Sequence, residues 1–579
     1  MRSKLISIIS ILVLMLLLSQ IVLADKEIKL LAVEEDNPNR EGSIALLSLK
    51  TVKGEGDTYL DTFPLTKLDT QISLRFSKDT ACSFSKINCK NKDFLYKLRA
   101  DSSIVGGPSA GAAGSILTIA ELENLEINPN VSITGTINSG DFIGAVGGIK
   151  GKIIAASENG ITKVIIPKSG NFEYDNANNS FGTIQEFGET VGVKVIEANT
   201  LEEALPHITN YVPKKLNEEI SISNRYSDIM EEVADEMCGR TEELVKELED
   251  QEEDISEEII NATQNSKKAL GENKFYSASS FCFNNNIRLR QIQYSNLSDE
   301  EFNEILDALK GLELKDFNYN SPNNLQVYLI VSSRLEEMHD TLEKAEKEFN
   351  EGNKEDAFNL LAFSRERAFS ISAWTKLFTE ETGKLNYDLR TSCIERISEA
   401  NERLQYVRLF VPDLLNDAFR TLNEAKQSLE EENYPECISK SIEVKVQSNT
   451  ILTTIGLTRE QLPELVENKL EFAQREIASQ NYFPILAYSY YEYGQSLNSN
   501  DPASALLYAE YSLEMANLDS YLSLEEKNNG KVIHEFNESV EDNGEIIRIL
   551  IIGILIGLII GTSISFGRIS KNRKMNKRK

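Results

Sequence analysis

Two short glycine-rich segments carry the side chains with the most informative chemistry in this sequence. Ser109 lies in residues 106–111 (Gly-Gly-Pro-Ser-Ala-Gly), and Lys152 ends residues 147–152 (Gly-Gly-Ile-Lys-Gly-Lys). A serine hydroxyl needs a base to take its proton as it attacks a carbonyl carbon. A lysine amine can be that base when burial keeps it neutral. The two segments together predict a serine nucleophile served by a lysine base.

The surroundings of these two residues favour the same chemistry. Val105, Ile149, Ile153 and Ile154 are expected to give Lys152 an apolar environment. A helix starting at Pro108 would offer backbone N–H groups to an oxyanion. A Ser-His-Asp triad is not expected, because the three histidines lie at the edge of this region or far beyond it: His207, His339 and His534. Ser–Lys pairs are a known variant of the triad.

Each segment alone also has a purely structural interpretation. Residues 106–111 could be a capped helix start after a tight turn, and residues 147–152 could be an anion-binding loop. The second segment does not fit the nucleotide-binding pattern Gly-x-x-x-x-Gly-Lys-Ser/Thr, because Val146 and Ile153 stand at two of its fixed positions. No other stretch fits this pattern, so no ATPase module and no nucleotide are expected. No cofactor and no metal site is predicted either.

The elements that must position these segments alternate between strands and helices across residues 26–207. We predict strands at 28–33, 43–52, 58–63, 72–76, 162–167 and 193–197 from alternating or continuous apolar runs. We predict helices at 109–125, 152–158, 183–191 and 201–205. Alternation of this kind is typical of an α/β or α+β domain.

Residues 213–537 have a different character. Glycine is rare there, and apolar residues recur at helical spacing among many Glu and Lys. A weak repeat places an asparagine between two helical stretches at Asn353, Asn433 and Asn481. We therefore predict an acidic, all-α domain of stacked helical hairpins, similar to tetratricopeptide-like arrays but without a constant period.

Six cysteines are consistent with an oxidising compartment. Cys82 and Cys89 are close enough to close a small loop, and the spacing of Cys238 and Cys282 equals that of Cys393 and Cys437. This spacing suggests three sequential disulfides as a hypothesis. Sequence alone also allows other pairings, and six buried free thiols.

Both ends of the chain carry apolar runs. Residues 1–24 are typical of a secretory signal peptide, with an uncleaved anchor helix as the alternative. The predicted transmembrane helix, residues 546–567, contains an uncharged run long enough to span a bilayer. The basic tail that follows, residues 568–579, is expected in the cytoplasm. The sequence thus predicts a single-pass protein of the cell membrane with its large N-terminal part extracytoplasmic.

The formal net charge of the chain is −30. Because the tail is basic, the remainder is more acidic still. An acidic surface repels the phosphates of nucleic acids, so nucleic-acid binding is excluded as a main function.

Three motifs taken together resemble the proteolytic domain of the Lon proteases. Residues 108–111, then Thr134-Gly135, then residues 147–152 follow the order and spacing of that family. Residues 61–73 are similar to the early strand and turn of its archaeal, membrane-bound members. The resemblance covers about residues 26–207, roughly a third of the chain.

This resemblance implies that Ser109 is the nucleophile, Lys152 the general base and Thr134 a supporting residue that holds the lysine. Lys150, two residues earlier, would point away. It also implies polypeptide substrates and a homo-oligomer, as a hexameric ring. The chain departs from the family at Gly106, where an acidic residue often precedes the Gly-Pro-Ser motif.

The sequence thus predicts an α+β Lon-type proteolytic domain, an all-α domain and one C-terminal transmembrane helix. We expect a membrane-anchored, extracytoplasmic serine endopeptidase that cleaves unfolded proteins or peptides without an ATPase of its own. The alternative is a non-catalytic or self-processing adaptor or scaffold whose helical domain binds a protein partner.

Overall fold

A four-stranded sheet leads into the first glycine-rich segment. The computed structural model describes residues 25–33, 42–168, 172–175, 180–213, 219–250, 255–314, 317, 319, 321–378, 388–412, 415–455, 457–518 and 522. The strands are β1 (Lys26–Val33), β2 (Gly42–Lys53), β3 (Thr58–Thr66) and β4 (Lys92–Val105), in the order β1-β2-β4-β3. β2 is antiparallel to β1 and β4, and β3 is parallel to β4. The first three strands were predicted, and β4 was not.

The predicted strand at 72–76 is wrong, because these residues lie in helix α1 (Leu68–Ser85). Apolar side chains alternate with polar ones in this stretch, which suggested a strand. Ser73 and the following Ser77 are nevertheless buried, since they pack against helix α2 (Gly111–Leu122). A methyl group on Gly114 would lie 2.7 Å from the Ser77 hydroxyl oxygen. Small residues on both helices thus allow a close crossing.

A second sheet, which is parallel, lies in the region of the other glycine-rich segment. Its strands are β5 (Val131–Ile133), β8 (Lys163–Ile166) and β11 (Lys194–Glu197), in the order β11-β8-β5. Two short antiparallel hairpins accompany it: β6 (Thr136–Ile137) with β7 (Ile143–Gly144), and β9 (Phe172–Asp175) with β10 (Ser180–Thr183). The helices of this region are α3 (Ile149–Glu158), α4 (Ile184–Thr190) and α5 (Leu201–Ile208). Predicted helices and strands beyond residue 150 match these elements closely.

The described residues beyond 219 form helices joined by turns. They are α6 (Asn224–Asp250), α7 (Glu257–Gly271), α8 (Phe275–Tyr294), α9 (Asp299–Lys310), α10 (Pro322–Glu351), α11 (Lys354–Trp374), α12 (Leu389–Arg408), α13 (Asn416–Glu430), α14 (Tyr434–Thr454), α15 (Leu462–Ala478), α16 (Ile485–Leu497) and α17 (Pro502–Ala516). Asn353 and Asn433 each precede the second helix of a pair, and Asn481 lies in the turn between α15 and α16. The chain is therefore mixed α/β first and helical afterwards, as predicted.

All six cysteines form disulfides in the predicted sequential pairing. Cys82–Cys89 closes the end of α1, Cys238–Cys282 joins α6 to α8, and Cys393–Cys437 joins α12 to α14. The second and third bridges each span 44 residues. The hypothesis drawn from equal spacing is confirmed.

The mixed and helical parts share one hydrophobic core. The described residues, from 25 to 522, form one compact unit. The core around α1 and α2 is completed by apolar side chains of α12 to α14, including Leu404, Val407 and Leu422. The Phe76 and Tyr406 rings meet edge to face at 5.6 Å. The mixed α/β part therefore packs directly against α12 and is not merely connected to the helical part by the chain.

The predictions made for the two ends fall outside the described residues. These are the signal peptide (1–24), the transmembrane helix (546–567) and the tail (568–579). Among the helices that the structure does describe, none combines the length and apolar character needed to cross a membrane.

Candidate active site

Ser109 sits in a tight turn between β4 and α2. Pro108–Ala110 form one turn of 3-10 helix, so the predicted helix at 109–125 begins with this turn and ends earlier, at Leu122. Gly107 immediately before the turn has φ +108°, a conformation that L side chains rarely adopt. The glycine that precedes the Pro-Ser motif is thus required by the backbone, and Ser109 is half-buried.

Three hydroxyl groups of α1 fix the backbone of this turn. Thr70 Oγ1 donates to the Gly107 carbonyl at 3.2 Å, Ser73 Oγ to the Pro108 carbonyl at 3.1 Å and Ser77 Oγ to the Gly111 carbonyl at 2.8 Å. All three side chains are buried. None of the three was predicted from the sequence: Ser73 lies in the predicted strand at 72–76, and Thr70 and Ser77 lie just outside it. The signal was their spacing of three and four residues, which lines one helix face.

Thr134 lies directly beside the Ser109 turn. It follows β5, and its backbone N–H donates to the Ile165 carbonyl at 3.0 Å, which continues the parallel sheet. The next residue, Gly135, donates its N–H to the Ser109 carbonyl at 3.2 Å and accepts the Ala112 N–H at 3.0 Å. The backbone on either side of Ser109 is therefore joined to the segment that carries Thr134.

Lys152 brings its amine to Thr134. It lies in the first turn of α3, which begins after Gly148 at φ +66°. The Lys152 Nζ donates to Thr134 Oγ1 at 3.0 Å, and the whole residue is only 3% exposed. Burial lowers the pKa of Lys152 from 10.5 to about 8. The N-terminal turn of a helix also disfavours a positive charge, which acts in the same direction.

The residues around Lys152 divide into buried and exposed ones. Ile149 and Ile153 are buried, as expected for an apolar environment, but Ile154 is 39% exposed. Lys150 is exposed, with its amine 5.0 Å from the centre of the Phe187 ring. Of the two lysines in residues 147–152, only Lys152 thus has its amine beside Thr134.

Gly106 lies under the side chain of Lys67. A methyl group added to Gly106 would approach Lys67 Cδ to 2.5 Å. The position where an acidic residue was expected is therefore covered by the aliphatic stem of a lysine. Any larger side chain at position 106 would require that stem to move.

The arrangement combines a half-buried hydroxyl, a buried amine and the start of a helix. An amine with a pKa near 8 is partly neutral at neutral pH and can accept a proton. The first N–H groups of a helical turn have no partner inside the helix, and those of Ser109 and Ala110 occupy this position. The residues can therefore supply a nucleophile, a base and donors to an oxyanion.

A protein-family comparison matches the same region. Residues 76–204 match the model of the Lon protease (S16) C-terminal proteolytic domain. The matched range contains Ser109, Thr134 and Lys152. The resemblance predicted from the three motifs is therefore confirmed for this part of the chain.

Similar curated proteins carry the same description. The archaeal Lon protease of Methanocaldococcus jannaschii is 30% identical over 120 residues, which cover 21% of this chain and 16% of the relative. The Lon protease of Borrelia duttonii is 39% identical over 69 residues, 12% of this chain and 8% of the relative. That of Clostridioides difficile is 41% identical over 69 residues, 12% and 9% of the two chains. The chain spans less than a fifth of the length of these relatives.

Proposed function

We propose that this protein is a serine endopeptidase in which Ser109 is the nucleophile and Lys152 the general base. The observation that carries the proposal is the buried Lys152 amine, held at 3.0 Å by a hydroxyl group rather than by a carboxylate. A carboxylate partner would keep the lysine protonated, whereas burial beside a neutral partner favours the neutral amine. The similarity to the Lon proteolytic domain supports the same activity.

In the proposed reaction, the neutral Lys152 amine takes the Ser109 proton as the serine oxygen bonds to the peptide carbonyl carbon. The N–H groups at the start of the 3-10 turn stabilise the negative charge that develops on the carbonyl oxygen. The protonated lysine then gives its proton to the leaving amine nitrogen, and the C–N bond breaks. Lys152 then takes a proton from water as the water oxygen bonds to the acyl carbon, and it returns that proton to the Ser109 oxygen as the acyl–Ser109 bond breaks.

Thr134 has a supporting role in this scheme. Its hydroxyl accepts a hydrogen bond from the Lys152 amine in either protonation state, so it fixes the direction of the nitrogen lone pair without adding charge. Its backbone is fixed in turn by the parallel sheet.

The proposed substrates are unfolded proteins, exposed loops or peptides, cleaved without ATP. We further propose that the protein is a homo-oligomer, anchored in the cell membrane through residues 546–567. The large N-terminal part would lie outside the cytoplasm. Three disulfides support an oxidising compartment, and the apolar runs of the sequence support the leader and the anchor.

The test is hydrolysis of casein and of fluorogenic peptides by the full chain in detergent, without ATP, beside Ser109→Ala and Lys152→Met. We expect activity in the wild type and loss of activity in both variants, with Lys150→Met as the matched lysine control that stays active. Equal hydrolysis by wild type and Ser109→Ala would refute the proposal. An inactive wild type that retains a protein partner would favour the adaptor function.

A further inference from the structure

The hairpin that follows Thr134 is held by the helical part of the chain. Residues 138–142 join β6 to β7, and the Asn138 N–H donates to the Phe142 carbonyl at 2.9 Å. β6 begins two residues after Thr134 and lies against the Ser109 turn. A methyl group on Gly111 would approach the Ile137 nitrogen to 2.9 Å. The position of this hairpin therefore determines how the Ser109 and Thr134 segments meet.

Two buried charges from the helical part bind the tip of this hairpin. Lys469 of α15 donates from its amine to the Ser139 carbonyl at 2.6 Å and to Ser139 Oγ at 2.9 Å. Its ion-pair partner is Glu510 of α17, at 2.7 Å. The Ser139 hydroxyl donates to the other Glu510 oxygen at 2.5 Å. The two charged side chains are 1% and 0% exposed.

Apolar contacts also hold the tip of the hairpin against α15 and α17. Gly140 has φ +66°, and a methyl group there would approach Phe472 to 3.0 Å and Leu513 to 3.3 Å. Phe142 is 7% exposed and belongs to the core of the helical part. Residues 138–142 are thus enclosed by α15 and α17 on both the polar and the apolar side.

Such a buried pair is costly unless each charge is fully bonded, since desolvation opposes it. Here both charges bond to one serine of the hairpin, so their removal would take away the hydrogen bonds that these two helices make with Ser139. The region similar to the Lon proteolytic domain ends at residue 204, whereas both charges come from α15 and α17. The contact is a property of this chain and not of the matched domain.

We propose that Lys469 and Glu510 are positioning residues for the Ser109–Lys152 pair: they fix the β6–β7 hairpin, and through it the placement of Thr134 beside Ser109. This role rests on the proposed protease function. It makes the helical part a structural component of the active site.

The test replaces the pair with neutral side chains, Lys469→Met with Glu510→Leu, so that neither member of the ion pair is left without the other. We expect kcat per folded molecule to fall about 10- to 100-fold, because small displacements of reacting groups have effects of that size. KM should change little, since the substrate-binding surface is retained. Amide hydrogen exchange should become faster at residues 136–144.

The matched control is Arg240→Met and Arg290→Met with Glu366→Leu, which removes a whole ion-pair group of α6, α8 and α11, away from the hairpin. It should leave kcat and exchange at residues 136–144 unchanged. If the Lys469→Met, Glu510→Leu variant has the same kcat as this control, the proposal is overturned.

A second variant, Ser139→Ala, covers the case in which the double variant does not fold. It removes only the hydroxyl bonds and should lower kcat in the same direction, by a smaller factor, with faster exchange in the hairpin. Unchanged kcat in Ser139→Ala together with an unfolded double variant would also overturn the proposal.

The two proposals fail differently. If wild type and Ser109→Ala hydrolyse substrate equally, the protease function fails and the positioning role fails with it. If hydrolysis depends on Ser109 but is indifferent to Lys469, Glu510 and Ser139, only the positioning role fails.

Discussion

Lys152 is a lysine that the fold keeps almost entirely out of water. Its amine meets the Thr134 hydroxyl at 3.0 Å, and burial lowers its pKa to about 8. A lysine with this pKa is a base that works only in the upper part of the physiological pH range. Two predictions follow from its protonation, one for activity and one for stability.

The first concerns the pH dependence of hydrolysis. The base must be neutral, and it is neutral above its pKa, so kcat/KM should rise with pH and reach half its maximum near pH 8. Below that pH it should fall about tenfold per unit. Steady-state peptide hydrolysis between pH 5 and 10 measures this, with Lys150→Met as a control that keeps the same midpoint. A midpoint near the ordinary histidine pKa would argue against a lysine base.

The second concerns Lys152→Met. The folded-state pKa of about 8 lies below the ordinary lysine pKa of 10.5, so the unfolded chain binds the extra proton between these two values. Wild-type stability therefore rises with pH through this window. Below pH 8 the variant should have a free energy of unfolding about 3 kcal/mol higher than wild type. The difference should vanish above pH 10.5, as measured by urea denaturation. A variant no more stable than wild type at pH 7 would contradict the burial argument.

Individual site residues could be predicted from the sequence where they lie in a distinctive motif. Ser109 and Lys152 were identified from glycine-rich motifs, and their neighbours Thr70, Ser73 and Ser77 were not. Serine and threonine occur in all secondary structures, so nothing in their type marks hydroxyls that hold a turn. Lys469 and Glu510 were missed for a related reason: in an acidic helical region, charged residues are expected on the surface.

The crossing of α1 and α2 positions the Ser109 turn. It depends on glycines in α2 that face serines in α1, so that the two backbones come close. Intrinsic propensity opposes glycine in a helix, which means that packing, not propensity, accounts for Gly114 at this point.

Gly114→Ala should destabilise the protein, because its methyl group would lie 2.7 Å from Ser77 Oγ and 2.8 Å from Leu74. We expect a loss of about 1–3 kcal/mol, typical of overpacking. Gly239→Ala in α6 is the matched change, since no atom lies within 4 Å of the new methyl group. It should stabilise by about 0.4–1 kcal/mol. Thermal unfolding of both variants measures the difference, and equal melting temperatures would be inconsistent with a tight crossing.

Periodicity predicted β1, β2, β3, β8 and β11 and the helices α2 to α5, but not helix α1, the long strand β4 or the short strands β5, β6, β7, β9 and β10. The alternation at residues 72–76 resembled a strand because the buried Ser73 looks polar in sequence. β4 was not predicted, although it pairs with both β2 and β3. Several of its residues are charged or small, so its pairing partners, rather than its own pattern, determine its conformation.

In the whole molecule, a shared core joins the two parts. Cys393–Cys437 holds α12 against α14, and both helices contribute to the core around α1 and α2. The sequence divided the chain into regions 26–207 and 213–537 by composition. It could not reveal the shared core, because an apolar helix face looks the same whichever neighbour covers it.

Removal of this bridge by Cys393→Ala with Cys437→Ala should lower the free energy of unfolding by about 4 kcal/mol, the loop-entropy value for its span. Loss of the Cys238–Cys282 bridge, with the same span of 44 residues, should cost a similar amount. Near the transition the first should lower hydrolysis more than the second, because α12 contacts the core of the Ser109 region. Calorimetry and activity measured at the same temperatures test this; equal effects on activity would count against it.

Truncation provides a further test. A chain ending at residue 212 would lose Leu404, Val407 and Leu422 from the core and expose Phe76 and its neighbours. Exposed apolar patches of this kind lead to aggregation. We expect the truncated chain to elute as aggregates in size-exclusion chromatography. The complete chain, which keeps the helical part, should elute as a folded protein. A soluble, folded and active 25–212 fragment would show that the shared core is dispensable.

The shared core also sets the order of events during synthesis. Ser109 and Lys152 leave the ribosome long before α12, at a rate of about 5–20 residues per second. The core that supports α2 stays open for a time on the order of tens of seconds, until residues near 400–450 have been made. The nascent chain therefore carries its serine and lysine before it can hold them together, and we expect the proposed activity to be absent until the chain is almost complete.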